Sequence, residues 1–412
     1  MEKRTVLFSK PKKSIGVDIG SHSVKAVQMS KSGGRLKVEQ AGYAKIDRNQ
    51  FNADPIGAQA TSLREALRTM PIAQSIITGA LPGQTVVIRY PRLPGMDKAK
   101  IAEAVEREAS QSIPYELSEV FLDWSLLDTV TEGDKAMLRV LLVAAKHEVI
   151  ESRVQIAEAA DVHYSILGVD SLALADAAEV CDLLSVGESV ALINLGAATT
   201  SIHFIKDGQS NFIRDVSWGG KELIQAIAKA RRCDQDEAEK LLFKGEPKAP
   251  PPPAHEEAVE VKPEDVSPLG GGLLEPLADE LGALDETPVS SKPSLSGIGG
   301  MGIGSDANRS ITEILAQPLT RLVTEIRRSF DYYEQQLYEH PVSRLILSGG
   351  VAQLPLVAET LREDLDIERV DLADPANSGL GLGADFSVNA LREQSPQFMV
   401  AVGLAARGAW EL

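Results

Sequence analysis

Two sets of three short apolar segments, each set broken by turns, dominate the pattern of hydrophobic and polar positions along the chain. The length of these segments and the glycines between them are typical of β-strands joined in hairpins. The first set covers 14–20, 23–29 and 36–46, and the second covers 189–195, 200–205 and 210–216. The similar order and spacing of the two sets indicate an internal duplication, with two related half-molecules facing one cleft.

A further group of alternating strands and helices lies between the two sets. Its pattern predicts a compact α+β module with a core of its own. The predicted elements are strands at 84–92, 120–128 and 136–145 and helices at 97–112 and 147–160. After the second set, an apolar stripe predicts a long helix from 311 to about 340. A strand at 345–348 then leads through a double glycine at 349–350 into a helix at 356–365.

A segment of biased composition separates the second hairpin set from the long helix. Residues 246–306 hold ten of the 22 prolines, nine of the 33 glycines and twelve acidic residues against three lysines, so they supply nine of the seventeen net negative charges. Such a composition cannot bury enough apolar surface to form a core. We therefore predict that 246–308 is a disordered, acidic, Pro/Gly-rich insert.

The composition argues against several classes of function. The formal net charge of −17 disfavours binding to nucleic acid, which needs a basic face. No stretch approaches the roughly 20 apolar residues that cross a bilayer. The six histidines and two cysteines are scattered, which is not typical of a metal site built from side chains alone. We expect a cytoplasmic protein.

The turn of the first hairpin offers residues that suit a bound phosphate. Gly20 and Ser21 lie in this turn, where a missing or small side chain lets backbone N–H groups approach an anion closely. Asp18 precedes the turn, and because phosphate repels a carboxylate, its natural role is to orient Mg²⁺ through water. Lys25 follows on the next strand with the reach to contact phosphate oxygens. Taken alone, this segment is also compatible with an ordinary hairpin turn.

Two further turns could complete a nucleotide site. Gly196, Ala197 and Thr199 lie in the turn of the second hairpin set and would contact the same ligand from the opposite lobe. Gly349 and Gly350 lie between a predicted strand and a predicted helix, where bare backbone allows a ribose or a flat ring to approach. A plain helix entry is the alternative explanation for the two adjacent glycines.

Three glycine turns at these separations, together with duplicated hairpins, resemble the two phosphate motifs and the adenosine motif of the actin, Hsp70 and sugar-kinase superfamily. Within it, the chain is most similar to the PilM family of type IV pilus assembly proteins and to its cell-division relative FtsA. The resemblance implies an α/β, actin-like (ribonuclease H-like) fold of two lobes, with an inserted α+β subdomain in the first lobe. The matching segments are 15–21, 24–27, 113–114, 141–146, 168–170, 172–174, 218–220, 347–350 and 400–404.

The resemblance also implies how the chain divides. The predicted first lobe comprises 1–84, 166–186 and 395–412, and the predicted inserted subdomain comprises 85–165. The predicted second lobe comprises 187–245 and 309–394.

By the same resemblance, ATP and Mg²⁺ are the expected cofactors. Asp18, Gly20, Ser21 and Lys25 would bind the phosphates and Mg²⁺, with Asp18 acting on the metal through water. The remaining implied contacts are Gly196, Ala197 and Thr199 to the phosphates, Glu239 and Lys240 to the ribose and base, and Gly349 and Gly350 beside the adenosine.

One position departs from the superfamily pattern. Asn194 stands where hydrolysing relatives usually have a second aspartate, and an amide has no charge with which to organise Mg²⁺ or an attacking water. Weak or absent ATP hydrolysis is therefore expected, and no catalytic residue is assigned.

The function that the resemblance implies is an ATP-binding scaffold of a type IV pilus or related secretion platform. It would bind the N-terminal cytoplasmic tail of a PilN-like inner-membrane protein and so lie at the inner membrane through its partner; self-association is left open. One alternative is a phosphotransferase or kinase of the same superfamily. The other is an FtsA-like filament, which usually needs a terminal basic amphipathic helix; direct membrane insertion is not expected, because the sequence stops at 408–412 without one.

Overall fold

The computed structural model describes residues 13–245, 309–337, 339 and 341–412. The predicted disordered insert at 246–308 lies outside the described residues. In the described part of the chain, no helix combines the length and the apolar character needed to cross a membrane.

The first hairpin set forms the centre of a six-stranded sheet. Strands β1 and β2 pair antiparallel, as do β2 and β3, whereas β1 pairs parallel with β4 and β4 with β9. The order across the sheet is β15-β3-β2-β1-β4-β9. The strands are β1 Lys13–Ile19, β2 Ser23–Ser32, β3 Arg35–Lys45, β4 Ser75–Leu81, β9 Ile166–Val169 and β15 Gly381–Leu382.

The second set builds a five-stranded sheet with the same pattern of pairing. Its order is β12-β11-β10-β13-β14, with antiparallel pairs in the hairpins and parallel pairs from β10 to β13 and β13 to β14. The strands are β10 Ser189–Leu195, β11 Thr200–Lys206, β12 Gln209–Val216, β13 Arg344–Ser348 and β14 Val370–Leu372. All five strands of this sheet therefore match β3-β2-β1-β4-β9 of the first sheet in order and direction, as the predicted duplication requires.

The inserted module has its own antiparallel sheet, packed on one helix. Strand β8 pairs with β7 on one side and with β5 and β6 on the other, and helix α3 places Ile101, Val105 and Ala109 in the module core. The elements are β5 Val86–Arg89, β6 Arg92–Pro94, α3 Lys98–Ser112, β7 Val120–Glu132 and β8 Lys135–Lys146. The single strand predicted at 84–92 is wrong: it is split into β5 and β6 because Pro91 has no N–H to continue the ladder.

Two helices join the sheets through a shared core. Helices α5 and α11 pack on each other, and their apolar residues share a cluster with β2 of the first sheet and with β10 and β13 of the second. In the described residues, eight further helices lie outside the core of the module. The bounds are α1 Arg48–Ala53, α2 Pro55–Leu67, α4 His147–Ala159, α5 Asp170–Val180, α6 Gly220–Arg231, α7 Gln235–Lys244, α8 Ile311–Asp331, α9 Pro355–Leu365, α10 Asp385–Glu393 and α11 Met399–Trp410.

Two helices pack elsewhere than the predicted boundaries place them: those boundaries put α4 in the inserted subdomain and α10 in the second lobe. Helix α4 contacts α2 and β4, and its Ile156 and Ala157 lie in the core of the first sheet rather than in that of the module. Helix α10 contacts β3, and its Val388 and Leu391 lie in the cluster shared by the sheets. Hydropathy alone cannot assign these helices, because an amphipathic helix shows that it has a buried face but not which sheet covers it.

Candidate functional site

The first turn joins β1 to β2 at one edge of the cleft. Gly20 N–H donates to the carbonyl of Ser23 at 3.1 Å, which closes the turn. Asp18 and Lys25 are directly opposite each other in the ladder, and Lys25 Nζ lies 3.3 Å from Asp18 Oδ2. Their side chains are only 15% and 12% exposed. The hairpin thus brings together the four residues that the sequence assigns to phosphate and Mg²⁺, with Ser21 at the tip.

The second turn repeats the geometry of the first. Gly196 N–H donates to the carbonyl of Thr199 at 3.0 Å, the same spacing as in the first hairpin. The start of α6 is tied to this turn, because Lys221 N–H donates to the carbonyl of Ala197 at 2.8 Å. Neither the N–H of Ser21 nor that of Ala197 takes part in a backbone hydrogen bond within the described chain. In both turns the N–H after the glycine is therefore among the groups that can serve a ligand.

One cavity lies between the two turns. Its volume is about 310 Å³, and Ser21 and Ala197 from the two turns both line it. The other lining residues come from the first lobe and from the start of the second-lobe helices. They are His22, Ile46, Arg48, Phe51, Asn52, Lys221, Ile224, Gln225 and Gln235. Arg48 is ion-paired with Asp236 and Glu239, so Lys221 is the lining cation that remains available to an anionic ligand.

Glu239 on α7 joins the two lobes beside this cavity. Its carboxylate receives hydrogen bonds from three first-lobe residues: His22 Nε2 at 3.1 Å, Lys45 Nζ at 2.8 Å and Arg48 at 2.6 Å. Burial opposes ionisation of Glu239, but the hydrogen bonds and charges of Lys45 and His22 outweigh it, so its pKa lies below the usual range. Lys240 is exposed on the same helix. The structure thus brings Glu239, but not Lys240, into contact with the opposite lobe.

The two predicted adenosine glycines pack against the end of the second sheet. Gly349 has φ of +90°, and a Cβ there would stand 2.4 Å from the carbonyl oxygen of Leu195. Only glycine satisfies both constraints. Gly350 begins the next turn, where a Cβ would meet only the side chain of Gln397 at 3.6 Å. Neither glycine lines the cavity between the hairpins, and their role toward adenosine stays a prediction.

A row of polar residues crosses the second sheet at the cleft. Asn194 is opposite Ser201 in the ladder, and Ser201 is opposite Asp215. Asn194 Oδ1 also accepts a hydrogen bond from Ser348 Oγ at 3.3 Å. The carboxylate that the sequence lacks at Asn194 is thus present two strands away, at Asp215. Burial raises the pKa of Asp215, and the nearby Ser201 hydroxyl opposes the shift.

Asp170 is a second acidic residue at the cleft that was not assigned from the sequence. It begins α5, and its Oδ1 accepts hydrogen bonds from Gly83 N–H at 2.7 Å and Ser171 N–H at 2.6 Å. Burial, followed by the negative charges of Asp215 and Asp18, raises its pKa to about 7. An aspartate directly after a short apolar strand of a parallel pair is the signal that could have indicated it.

The described residues contain no group of three or more histidine, cysteine, aspartate or glutamate side chains placed to bind a metal. Asp18, Asp170 and Asp215 nevertheless concentrate carboxylates at the cleft, and the charge of Asp18 acts on Asp170. Because they form no direct ligand set, these carboxylates could hold a magnesium ion only through its waters, with phosphate oxygens as direct ligands.

The chain matches one family model by sequence and several solved structures by fold. The model of the family described as "Type IV pilus assembly protein PilM" matches residues 16–249 and 305–409. The chain is also similar to the solved structure of a PilM-PilN type IV pilus biogenesis complex, with a TM-score of 0.70, 21% identity, and coverage of 96% of this chain and 98% of that one.

Two other solved structures are similar at a lower level. The ethanolamine utilization protein EutJ from Carboxydothermus hydrogenoformans has a TM-score of 0.47 and 12% identity, with 97% of this chain and 90% of that one covered. MreB 5 of Spiroplasma citri bound to AMPPNP has a TM-score of 0.43 and 11% identity, with 96% of this chain and 95% of that one covered.

The family match extends over most of the chain, and the duplicated sheets with an inserted module agree with it. The chain therefore belongs to the PilM family of type IV pilus assembly proteins and has a two-lobed, actin-like fold.

Proposed function

We propose that this protein is an ATP-binding scaffold of the type IV pilus assembly platform, and that its nucleotide-bound form binds the N-terminal cytoplasmic tail of a PilN-like inner-membrane protein. The observation that supports the proposal most strongly is that equivalent glycine turns from both lobes line one cavity, into which the second lobe also brings Lys221. Family membership favours this function over a phosphotransferase or a cell-division filament. The protein would then be cytoplasmic and peripheral to the inner membrane.

In this proposal the two turns bind the phosphates of ATP from opposite sides. The N–H groups of Ser21 and Ala197 donate to phosphate oxygens, and Lys25 turns from Asp18 toward the same oxygens. Magnesium supplies charge neutralisation between the phosphates and the carboxylates, and Asp18 would orient it through water. Glu239, Gly349 and Gly350 are proposed on the adenosine side, and Lys240 is the least supported of the assigned residues because it is exposed.

The tail is proposed to bind as an extended peptide in the groove between the first lobe and the inserted module. The module has a core of its own, separate from those of the lobes, so a cleft between module and lobe can change without unfolding either part. In such a groove, backbone pairing gives affinity and side-chain pockets give specificity. A closed nucleotide cleft would favour one arrangement of this groove.

Calorimetry with Mg-ATP, and fluorescence anisotropy with a labelled peptide of the tail, test the proposal. We expect uptake of Mg-ATP and tighter peptide binding in its presence.

The variant Lys25→Ala should weaken ATP binding by about tenfold or more, because a hydrogen bond to a charged group is worth about 1.5–3 kcal/mol. Lys37→Ala is the matched control, since Lys37 lies on β3 of the same sheet and its ammonium group pairs with Glu39 at 3.1 Å. No ATP uptake by the wild type, or equal and negligible peptide binding with and without ATP, would end the proposal.

A further inference from the structure

The inserted module contacts the second lobe as well as the first. Strand β12 is an edge strand of the second sheet, and the module and its linker meet it at both ends. Near the cleft, a Cβ on Gly83 would stand 2.5 Å from Asp215 Oδ2, so the segment that enters the module is packed against β12. At the other end, Ser210 and Asn211 of β12 bond to module residues.

Ser210 and Asn211 each belong to a link between β12 and the module. The first link, through Ser210, is a chain of hydrogen bonds, and the chemistry of the groups fixes which atom donates in each bond. His203 Nδ1 lies 2.9 Å from the carbonyl of Ser171, which can only accept, so Nδ1 bears the proton. Burial lowers the pKa of His203 to about 4, so the ring is neutral and its Nε2 accepts from Ser210 Oγ at 2.7 Å. Ser210 Oγ in turn accepts from Tyr90 Oη at 2.6 Å. Tyr90 lies in the module, between β5 and β6.

The second link is made by a buried arginine of the module. Arg139 on β8 binds both carboxylate oxygens of Asp128, at 2.9 and 2.8 Å, and donates through its remaining nitrogen to Asn211 Oδ1 of β12. Asn211 Nδ2 donates to Tyr333 Oη at 3.0 Å, and Tyr333 is fully buried in the second-lobe core. Because Arg139 and Asn211 are themselves less than a tenth exposed, this contact is shielded from solvent.

The covalent connections of the module run only to the first lobe. The chain enters it from β4 and leaves it from β8 into α4, and both β4 and α4 pack in the first-lobe core. The module is therefore joined to one lobe by the backbone, and to the other by the two links and by the packing of its entry segment at Gly83 against Asp215. The first link ends at Ser171, next to Asp170 at the cleft. Any movement of one lobe relative to the other must shift the module or break these hydrogen bonds.

We propose that the links Tyr90–Ser210–His203 and Arg139–Asn211 couple the nucleotide cleft to the inserted module, so that closure of the lobes on ATP sets the position of the module and its affinity for the tail peptide. This inference rests on the proposed function and names the residues that regulate it. Tyr90 and Asn211 are positioning residues, because they contact neither the cavity between the turns nor the residues assigned to ATP.

The test compares coupling between ATP and the tail peptide in the full chain. For wild type, Tyr90→Phe, Asn211→Ala and the double variant, peptide affinity is measured with and without Mg-ATP, and ATP affinity is measured without peptide. Tyr90→Phe keeps the ring and removes only the hydroxyl. Tyr332→Phe is the matched control, because Tyr332 is 43% exposed in the second lobe and packs on Phe212 at a ring distance of 5.0 Å without bonding to the module.

In the wild type and in Tyr332→Phe, Mg-ATP is expected to raise peptide affinity by about fivefold or more, the usual range of coupling between two sites. In the double variant this ratio should fall below about twofold, while ATP affinity and nucleotide-free peptide affinity stay within about threefold of wild type. An unchanged ratio in the double variant, or a wild type that binds both ligands without coupling, overturns the inference and leaves the separate binding sites intact. A wild type that binds no ATP or no peptide overturns the proposed function, and the inference with it.

Discussion

The variant Asp170→Asn is expected to be more stable than the wild type at pH 8 by about 2 to 4 kcal/mol and to differ little from it at pH 4. The pKa of Asp170 is raised from 3.8 to about 7 by burial and by the charges of Asp215 and Asp18. Between these two values the folded protein binds a proton that the unfolded chain does not. Stability contributed by this group is thus full below about pH 4 and is lost as the pH rises through about 7.

The magnitude follows from the size of the shift. Each pKa unit corresponds to 1.36 kcal/mol, so a shift of about three units amounts to about 4 kcal/mol, and partial solvent access to Asp170 reduces it. Asparagine has no charge to bury, and its Oδ1 can still accept from Gly83 and Ser171. Urea unfolding from pH 4 to pH 8.5, without nucleotide, measures the effect.

The matched control for this prediction is Asp123→Asn, an exposed aspartate on β7. It should leave the pH profile of stability unchanged. An Asp170→Asn variant with the same pH profile as the wild type, or one less stable at pH 8, would contradict the electrostatic description of the cleft.

The variant Gly403→Ala is expected to lower the free energy of unfolding by about 3 kcal/mol. Gly403 lies where α11 crosses α5, and a Cβ there would stand 1.8 Å from the carbonyl oxygen of Ala173 and 3.0 Å from the N of Ala177. Both are backbone atoms of a helix, which cannot turn aside as a side chain can, so the helices must separate. The variant should show a clearly lower urea midpoint.

Gly168→Ala provides the comparison for the helix crossing. Gly168 also faces α11, but a Cβ there would meet Leu404 at 3.7 Å, an ordinary contact. We expect its unfolding free energy to stay within about 1 kcal/mol of wild type. Equal effects of the two substitutions would show that the crossing of α5 and α11 is less tightly packed than described.

The sequence predicts the strands and turns of the two hairpin sets well, because their signals are local. Alternation of apolar residues and the glycines at 20 and 196 fix strand ends and turns within a few residues. The resemblance to the PilM family is confirmed by the family match, and the actin-like fold by the structural comparison. The exception among the strands, at Pro91, is also local, but one proline within an apolar run is easily outweighed by its neighbours.

The contacts between lobes could not be predicted from the sequence. Glu239 is assigned to the ribose and base by resemblance alone, and no local signal shows that it meets Arg48, 191 positions away. Asp170 and Asp215 lie on different lobes, and only the folded chain brings both of them to Gly83. His203 shows no spacing that would mark it as a link to the module. Such sites depend on how whole elements pack, which periodicity and turn signals do not encode.

The central claim is that two equivalent turns, one from each lobe, bind one nucleotide between them. Hydrogen–deuterium exchange of the full chain, with and without Mg-ATP, tests it most directly. Slower amide exchange on ATP addition is predicted in both peptides that cover the turns, at residues 19–23 and 195–199. Protection of one turn alone, or of neither, would contradict the claim.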